Sequence, residues 1–199
     1  MNIVVFCPSL IGDAVMATPT FRALRRRYPD GRLTAVVKPN VAPVLDGLGW
    51  FDETIRFHPR SKDRSQRTSA LIRRLRARPD RPDAAVLLPN SIRTAWISRL
   101  AGIPRRVGYD RYARGWLLTD RLAPPRDASG KLLPCPIVEY YLALAHALDA
   151  PSQGVRLELA TTPDDEAQAD AACEALGVEP GRGLVCLNTG GAFGPSKAW

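Results

Sequence analysis

The sequence predicts a doubly wound α/β fold, one complete Rossmann-like domain followed by the opening of a second. Three observations carry this expectation. Short apolar runs at residues 3–7, 33–37 and 84–88 have the length of strands buried on both faces of a parallel sheet. Each is followed by residues at helical spacing, so strands and helices alternate along the chain. The 199 residues, 45% hydrophobic and 24% charged, have the composition of a globular protein that can fill a core.

The first apolar run stops at Pro8, which cannot donate to a sheet ladder. Asp13 opens a helical pattern with Val15, Phe21 and Leu24 among its apolar positions, closed by Arg25-Arg26-Arg27 and the turn Tyr28-Pro29-Asp30-Gly31. Pro19 lies inside that pattern and should kink or restart the helix. Residues 33–37 form the next strand, 41–48 a short helix and 53–57 a third strand. Ten Arg or Lys side chains then fall between positions 56 and 81, opposed only by Asp63 and Asp80. Leu71, Ile72 and Leu75 stand among them at helical spacing, so a basic loop leads into an amphipathic helix.

Residues 84–88 are a central strand, with Pro89-Asn90-Ser91 as its exit turn. The helix at 92–100 is stopped by Ala101-Gly102-Ile103-Pro104. A short strand at 106–109 and an irregular, charge- and proline-rich stretch at 110–134 precede a helix at 137–148, with Val138, Tyr141, Leu142, Ala145 and Leu148 on one face. Residues 150–154 read as a linker. Thr162-Pro163-Asp164-Asp165-Glu166 supplies an N-cap, a proline at the first position and carboxylates in the first turn of another helix. Leu184-Val185-Cys186-Leu187 then starts a second βα unit. The expected layout is residues 1–150 as the first domain, 151–182 as linker and helix, and 183–199 as the start of a second domain.

Composition narrows the function. No apolar run approaches the ~20 residues of a membrane span, and Met1-Asn2-Ile3 lacks the basic start of a signal peptide, so a cytoplasmic location is expected. Cys7, Cys135, Cys173 and Cys186 have no C-x-x-C spacing and only two histidines exist. The cysteines read as reduced and structural, no metal is expected, and His58 and His146 also read as structural. The net charge of +8 attracts polyanions: nucleic acid, phospholipid head groups or phosphorylated sugars.

Ligands of open parallel sheets gather at the carboxyl ends of strands, which singles out the turn Pro8-Ser9-Leu10-Ile11-Gly12-Asp13. It has one glycine instead of the three of G-x-G-x-x-G, so a dinucleotide is disfavoured. Gly12 lets a ligand approach the backbone. Asp13 fits two roles, an N-cap accepting a backbone hydrogen bond or a base accepting a proton, and spacing alone favours the cap. In the second βα unit, Asn188-Thr189-Gly190-Gly191 and Lys197 give a glycine-rich loop with a hydroxyl and an ammonium, the ingredients of a phosphate cradle. The spacing is not that of a Walker P-loop, and an ordinary glycine-rich connection fits the pattern equally well.

Taken together, Cys7-Pro8-Ser9-Leu10-Ile11-Gly12-Asp13 with Ala17-Thr18-Pro19, then Leu88-Pro89-Asn90-Ser91, then the run from Ala101 to Tyr109, and finally the run from Gly191 to Trp199 resemble the lipopolysaccharide heptosyltransferases of glycosyltransferase family nine, and within it the heptosyltransferase II branch. The motifs occur in the family's order over the whole chain. The resemblance implies a GT-B architecture in which residues 1–150 hold the acceptor and the second domain, of which the sequence contains only the start, holds the nucleotide sugar. It implies inverting transfer of a heptose from ADP-heptose to the inner core of lipopolysaccharide, with Asp13 as general base. Thr189, Gly190, Gly191 and Lys197 would take the donor diphosphate without a metal or other cofactor. Ser9, Gly12, Asn90, Ser91 and Arg93 would line the acceptor side.

Under this resemblance the arginines between 56 and 81 have acceptor phosphates or anionic head groups at the inner membrane surface as targets. Two departures leave the acceptor open: Asn188-Thr189-Gly190 stands where a Pro-Gly pair is common, and Ala198 where Arg is common. A transferase using another nucleotide sugar fits the same residues. A nucleic-acid-binding module fits poorly, because the basic run lacks interleaved aromatics and any helix-turn-helix or RNA-binding signature. The 199 residues alone are expected to be inactive as a transferase, since the donor pocket is incomplete.

Overall fold

A computed structural model describes residues 1–178 and 185. It contains six strands and seven α-helices among those residues: β1 (Ile3–Phe6), α1 (Ile11–Met16), α2 (Thr18–Arg27), β2 (Leu33–Val37), α3 (Ala42–Asp46), β3 (Glu53–Arg56), α4 (Thr68–Arg76), β4 (Ala84–Leu87), α5 (Ile92–Leu100), β5 (Arg105–Tyr109), β6 (Asp120–Leu122), α6 (Ile137–His146) and α7 (Pro163–Ala175). The expected strand at 184–187 and the glycine-rich loop after it lie outside the described residues.

The strands form one parallel sheet in the order β3-β2-β1-β4-β5-β6. This is the doubly wound Rossmann order, in which successive connections run outward from β1 in one direction and from β4 in the other. Every residue of β1, β2 and β4 is buried, because helices cover both faces. Alternation along β1 divides the core: Ile3 and Val5 join Phe21, Leu24, Tyr141 and Leu144 on the face of α2 and α6, whereas Val4 and Phe6 join Leu71, Leu75 and Ile97 on the face of α4 and α5.

The proline inside the first helical pattern acts as expected. The chain breaks at Ala17, and Pro19 sits in the first turn of α2, where its missing N–H costs nothing. Thr162 caps α7 in a reciprocal capping box with Asp165, with Pro163 at the first position. One element departs from expectation. Asp120-Arg121-Leu122 is strand β6, inside the stretch expected to be irregular, paired to β5 through Val107↔Asp120 and Tyr109↔Leu122.

By contacts the chain forms two compact units, Met1–Thr161 and Thr162–Trp199. Residues 151–161 are tied into the first unit. Arg22 of α2, almost wholly buried, ion-pairs with Glu158 and donates to the carbonyls of Arg156 (3.1 Å), Gly154 (3.0 Å) and Gln153 (3.3 Å). Glu158 N donates to the Thr18 hydroxyl at 3.1 Å. Gly47 is required here, since a Cβ at that position would collide with the Ala160 carbonyl.

Candidate functional site

The direction of winding reverses between β1 and β4, and the chain opens a crevice at the carboxyl ends of such strands. A cavity of about 310 Å³ lies there, walled by residues leaving β1 (Cys7, Ser9), β2 (Val37, Lys38), β3 (Phe57, His58, Pro59, Arg60) and β4 (Pro89, Ser91, Arg93, Thr94). Its ionisable side chains are Lys38, Arg60, Arg93, His58 and the thiol of Cys7, with no carboxylate among the described residues that line it. Such a surface is complementary to an anion.

The structure brings three predicted residues, Ser9, Ser91 and Arg93, into one cavity wall. It adds Lys38, Arg60 and His58, of which His58 was expected to be structural. The signal for Lys38 was present in the sequence, a cation directly after a buried strand. The strand-exit argument applies to it as it does to Arg93. Arg60 belongs to the basic run, of which three other members are engaged within the protein. Arg74 and Arg78 pair with Glu53 at 2.6 and 2.7 Å, Arg78 also with Asp80 at 3.0 Å, and Arg67 donates to the Ser61 carbonyl at 2.8 Å.

Asp13 does not cap a helix. The α1 helix already begins at Ile11, its cap position is Leu10 without a side-chain bond, and Asp13 is the third helical residue. The chain turns helical two residues earlier than the spacing predicted, which frees the carboxylate from the backbone. It is half-buried, and among the described residues it makes no side-chain hydrogen bond. It lies beside α6: burial, and then the Asp13 carboxylate, push the Tyr141 hydroxyl above the usual phenol range. Asp13 and Gly12 are not in the wall of the 310 Å³ cavity. A Cβ on Gly12 would meet nothing within 4 Å, so internal packing does not require the glycine.

The β4 exit turn is held from beneath by a residue the sequence reading passed over. Arg114 is fully buried, and its guanidinium donates to the carbonyls of Pro89 (2.5 Å), Ser91 (3.2 Å) and Tyr109 (3.0 Å) and to Asn90 Oδ1 (3.1 Å). Burial pulls its pKa down to about 10, which leaves it charged at neutral pH. The Asn90 amide in turn donates to the Tyr140 hydroxyl at 3.0 Å, so both ends of Asn90 are committed inside the protein. Asn90 borders a smaller cavity of about 160 Å³ with Arg111 and Tyr140. Tyr140 stacks on Tyr109, centroids 3.6 Å apart, and its carbonyl accepts from the Tyr109 hydroxyl at 2.8 Å. Ser91 caps α5 by accepting from Arg93 N at 3.2 Å, which fixes where Arg93 starts its turn.

Burial also raises the Cys7 thiol well above its ordinary value, so it stays protonated and packs as a small apolar group. Among the described residues no group of three His, Cys, Asp or Glu side chains could hold a metal ion. No helix among them is long and apolar enough to cross a membrane. The predicted donor-side residues Thr189, Gly190, Gly191 and Lys197 lie outside the described residues.

A sequence profile of glycosyltransferase family 9 (heptosyltransferase) matches residues 68–199. Lipopolysaccharide heptosyltransferase 2 of Salmonella typhimurium is 30% identical over 208 aligned residues, covering all of this chain and 57% of its own length. The structure of Escherichia coli ADP-heptose lipopolysaccharide heptosyltransferase II superposes with a TM-score of 0.72 at 28% identity, over the whole of this chain and 57% of the other. A glycosyl transferase family 9 structure from Veillonella parvula shares the fold, with a TM-score of 0.79 at 22% identity over the whole of this chain and 55% of the other. The chain thus spans just over half the length of the curated relatives it matches.

Proposed function

The chain belongs to glycosyltransferase family 9, and from that membership we propose that the protein transfers a heptose from ADP-heptose to the inner core of lipopolysaccharide, with inversion at the anomeric carbon. The observation that carries this reading is the cation-lined, carboxylate-free cavity at the β1/β4 crevice. Lys38, Arg60 and Arg93 suit the phosphorylated, acidic inner core, and a cavity of about 310 Å³ is of the size that takes sugar rings.

In the proposed reaction the acceptor glycan lies across the ends of β1 and β4. Asp13, whose carboxylate has no bond to the backbone to give up, takes the proton from the acceptor hydroxyl as that oxygen attacks the anomeric carbon. The bond from that carbon to the diphosphate breaks as the new one forms, and ADP leaves with the electron pair. Thr189 and Lys197, with the N–H groups of Gly190 and Gly191, stabilise the charge that grows on the diphosphate, and this reading assigns no metal to that task. Arg114 acts on none of the reacting atoms. It positions the turn from which Ser91 and Arg93 reach the acceptor.

The test is turnover by the full-length protein with ADP-heptose and a lipid A core acceptor, followed by mass spectrometry. Asp13→Asn is expected to lower kcat by roughly 10²- to 10⁴-fold with little change in acceptor KM. Lys38→Ala and Arg93→Ala are expected to raise that KM. No ADP release with this donor, or an unimpaired Asp13→Asn enzyme, would overturn the reading. Turnover with a different nucleotide sugar alone would retain the site and replace the donor.

A further inference from the structure

Helix α5 has a buried inner face and an exposed apolar outer one. Its inner residues Thr94, Ala95, Ile97 and Ser98 are buried against the sheet. Its outer face carries Ile92, Trp96 and Leu100, four residues apart and 51%, 42% and 41% exposed. Helical residues at that spacing share one face, so the three form a stripe. Trp116, 59% exposed, continues it from the 3-10 turn Gly115–Leu117, its ring edge-on to Trp96 with centroids 5.5 Å apart. A single exposed leucine calls for no explanation, whereas a continuous stripe with two tryptophans marks an interaction surface.

The surrounding charge selects the partner. Between Ile92 and Tyr109 the chain carries four arginines, at positions 93, 99, 105 and 106, and no acidic residue. Arg105 pairs with Asp120, and Arg106 is taken up by the carbonyls of Ile103, Pro104 and Leu117. Arg93 and Arg99 are exposed, and among the described residues neither has a carboxylate partner. Tryptophan rings favour the boundary between acyl chains and head groups, and arginines beside them attract anionic lipid. Arg93 also lines the cavity, so the stripe begins at the cavity rim.

We propose that the outer face of α5, with Trp116 and Arg99, docks on an anionic lipid bilayer and so presents the cavity to a lipid-anchored acceptor. This rests on the transferase reading, because a lipid-linked acceptor is what gives the docking its purpose. It places the lipid contact on α5 instead of on the basic run before and within α4.

Cosedimentation of the full-length protein with vesicles of phosphatidylcholine, and of phosphatidylcholine mixed with phosphatidylglycerol, tests it. Binding to the mixed vesicles only, with a blue shift of tryptophan emission, is expected. Trp96→Ser/Trp116→Ser should weaken that binding by at least about tenfold. Arg99→Glu should weaken it too, while Arg73→Glu/Arg76→Glu on α4 should leave most of it in place. If the double variant fails to fold by circular dichroism, Trp116→Ser alone carries the comparison, since its ring is the more exposed. Each folded variant should keep turnover on a delipidated, water-soluble core oligosaccharide, and that arm separates a failure of docking from a failure of the transferase reading. Absence of vesicle binding, equal binding by the tryptophan variant, or loss of binding only in the α4 variant would overturn the proposal. So would a finding that the tryptophan substitutions dissociate two copies of the chain and leave lipid binding intact.

Discussion

Arg114 is a fully buried cation whose partners are oxygens of the backbone and of Asn90 rather than a carboxylate. A planar guanidinium can spread several donors over that set, and the compact ammonium of lysine cannot. Arg114→Lys is therefore expected to cost about 2–3 kcal/mol of stability, because at least one buried carbonyl loses its donor. It should also raise acceptor KM more than it lowers kcat, since what loosens is the turn carrying Ser91 and Arg93. Denaturant unfolding and steady-state kinetics on the same variant check both, and unchanged KM in a folded Arg114→Lys protein would contradict the positioning role. Local sequence does not single out Arg114, for it sits in a charge-rich irregular stretch and its partners lie up to 25 positions away. Asp13 was legible as a position but not in its local state. Strand, proline and glycine placed it at a strand exit, yet the helix starts at Ile11 because the backbone, not a side chain, closes the first turn through Ala14 N to Leu10 O at 3.0 Å.

At the scale of elements, edge strand β3 is fastened to α4 by one carboxylate. Glu53 accepts from Arg32 at 3.1 Å and Arg74 at 2.6 Å and pairs with Arg78 at 2.7 Å. Burial pushes Glu53 up, but the guanidinium bonds from Arg74 and Arg78 outweigh it and hold the group below its ordinary 4.5. Asp52, bonded by Arg25, and Asp120, bonded by Arg105, are likewise lowered against burial. A carboxylate whose folded pKa is depressed stabilises the fold at pH above its unfolded value, and that contribution disappears as pH falls through the folded value. Thermal midpoints should hold steady down to about pH 5 and then decline, and Glu53→Gln should have a lower midpoint at neutral pH with a shallower acid decline. A parallel pH profile for wild type and variant would refute the fastening role. The same elements show why some of the fold was legible in the sequence and some was not. The buried strands β1, β2 and β4 announce themselves as apolar runs, and the cap of α7 as Thr162-Pro163. Strand β6 is three residues long with two charges, and it becomes a strand only because β5 offers a free edge, information that pairing supplies and local sequence does not.

At the scale of the whole molecule, the first unit ends later than the change in composition near residue 150 implies. Residues 151–161 open like a linker, with Pro151-Ser152-Gln153-Gly154, yet they supply Glu158 and three carbonyls to Arg22 and press Ala160 against Gly47. Buried arginine needs these acceptors, because an unpaired guanidinium under the surface is costly. A chain ending at residue 161 is thus expected to unfold in one cooperative transition, with the six-stranded sheet and the cation-lined cavity complete. A chain ending at residue 150 removes every partner that Arg22 has in that segment. It should lose about 2–4 kcal/mol, or roughly 5–15 °C in midpoint at the 2–4 °C per kcal/mol usual for this size. Arg22→Met in the shorter chain should recover part of that loss, since an apolar side chain leaves no buried charge to satisfy. Calorimetry on the four proteins forms a double cycle. Additive effects of truncation and substitution would show that the segment is a tether only, whereas the expected coupling of at least about 1 kcal/mol would make it the last structural piece of the first unit.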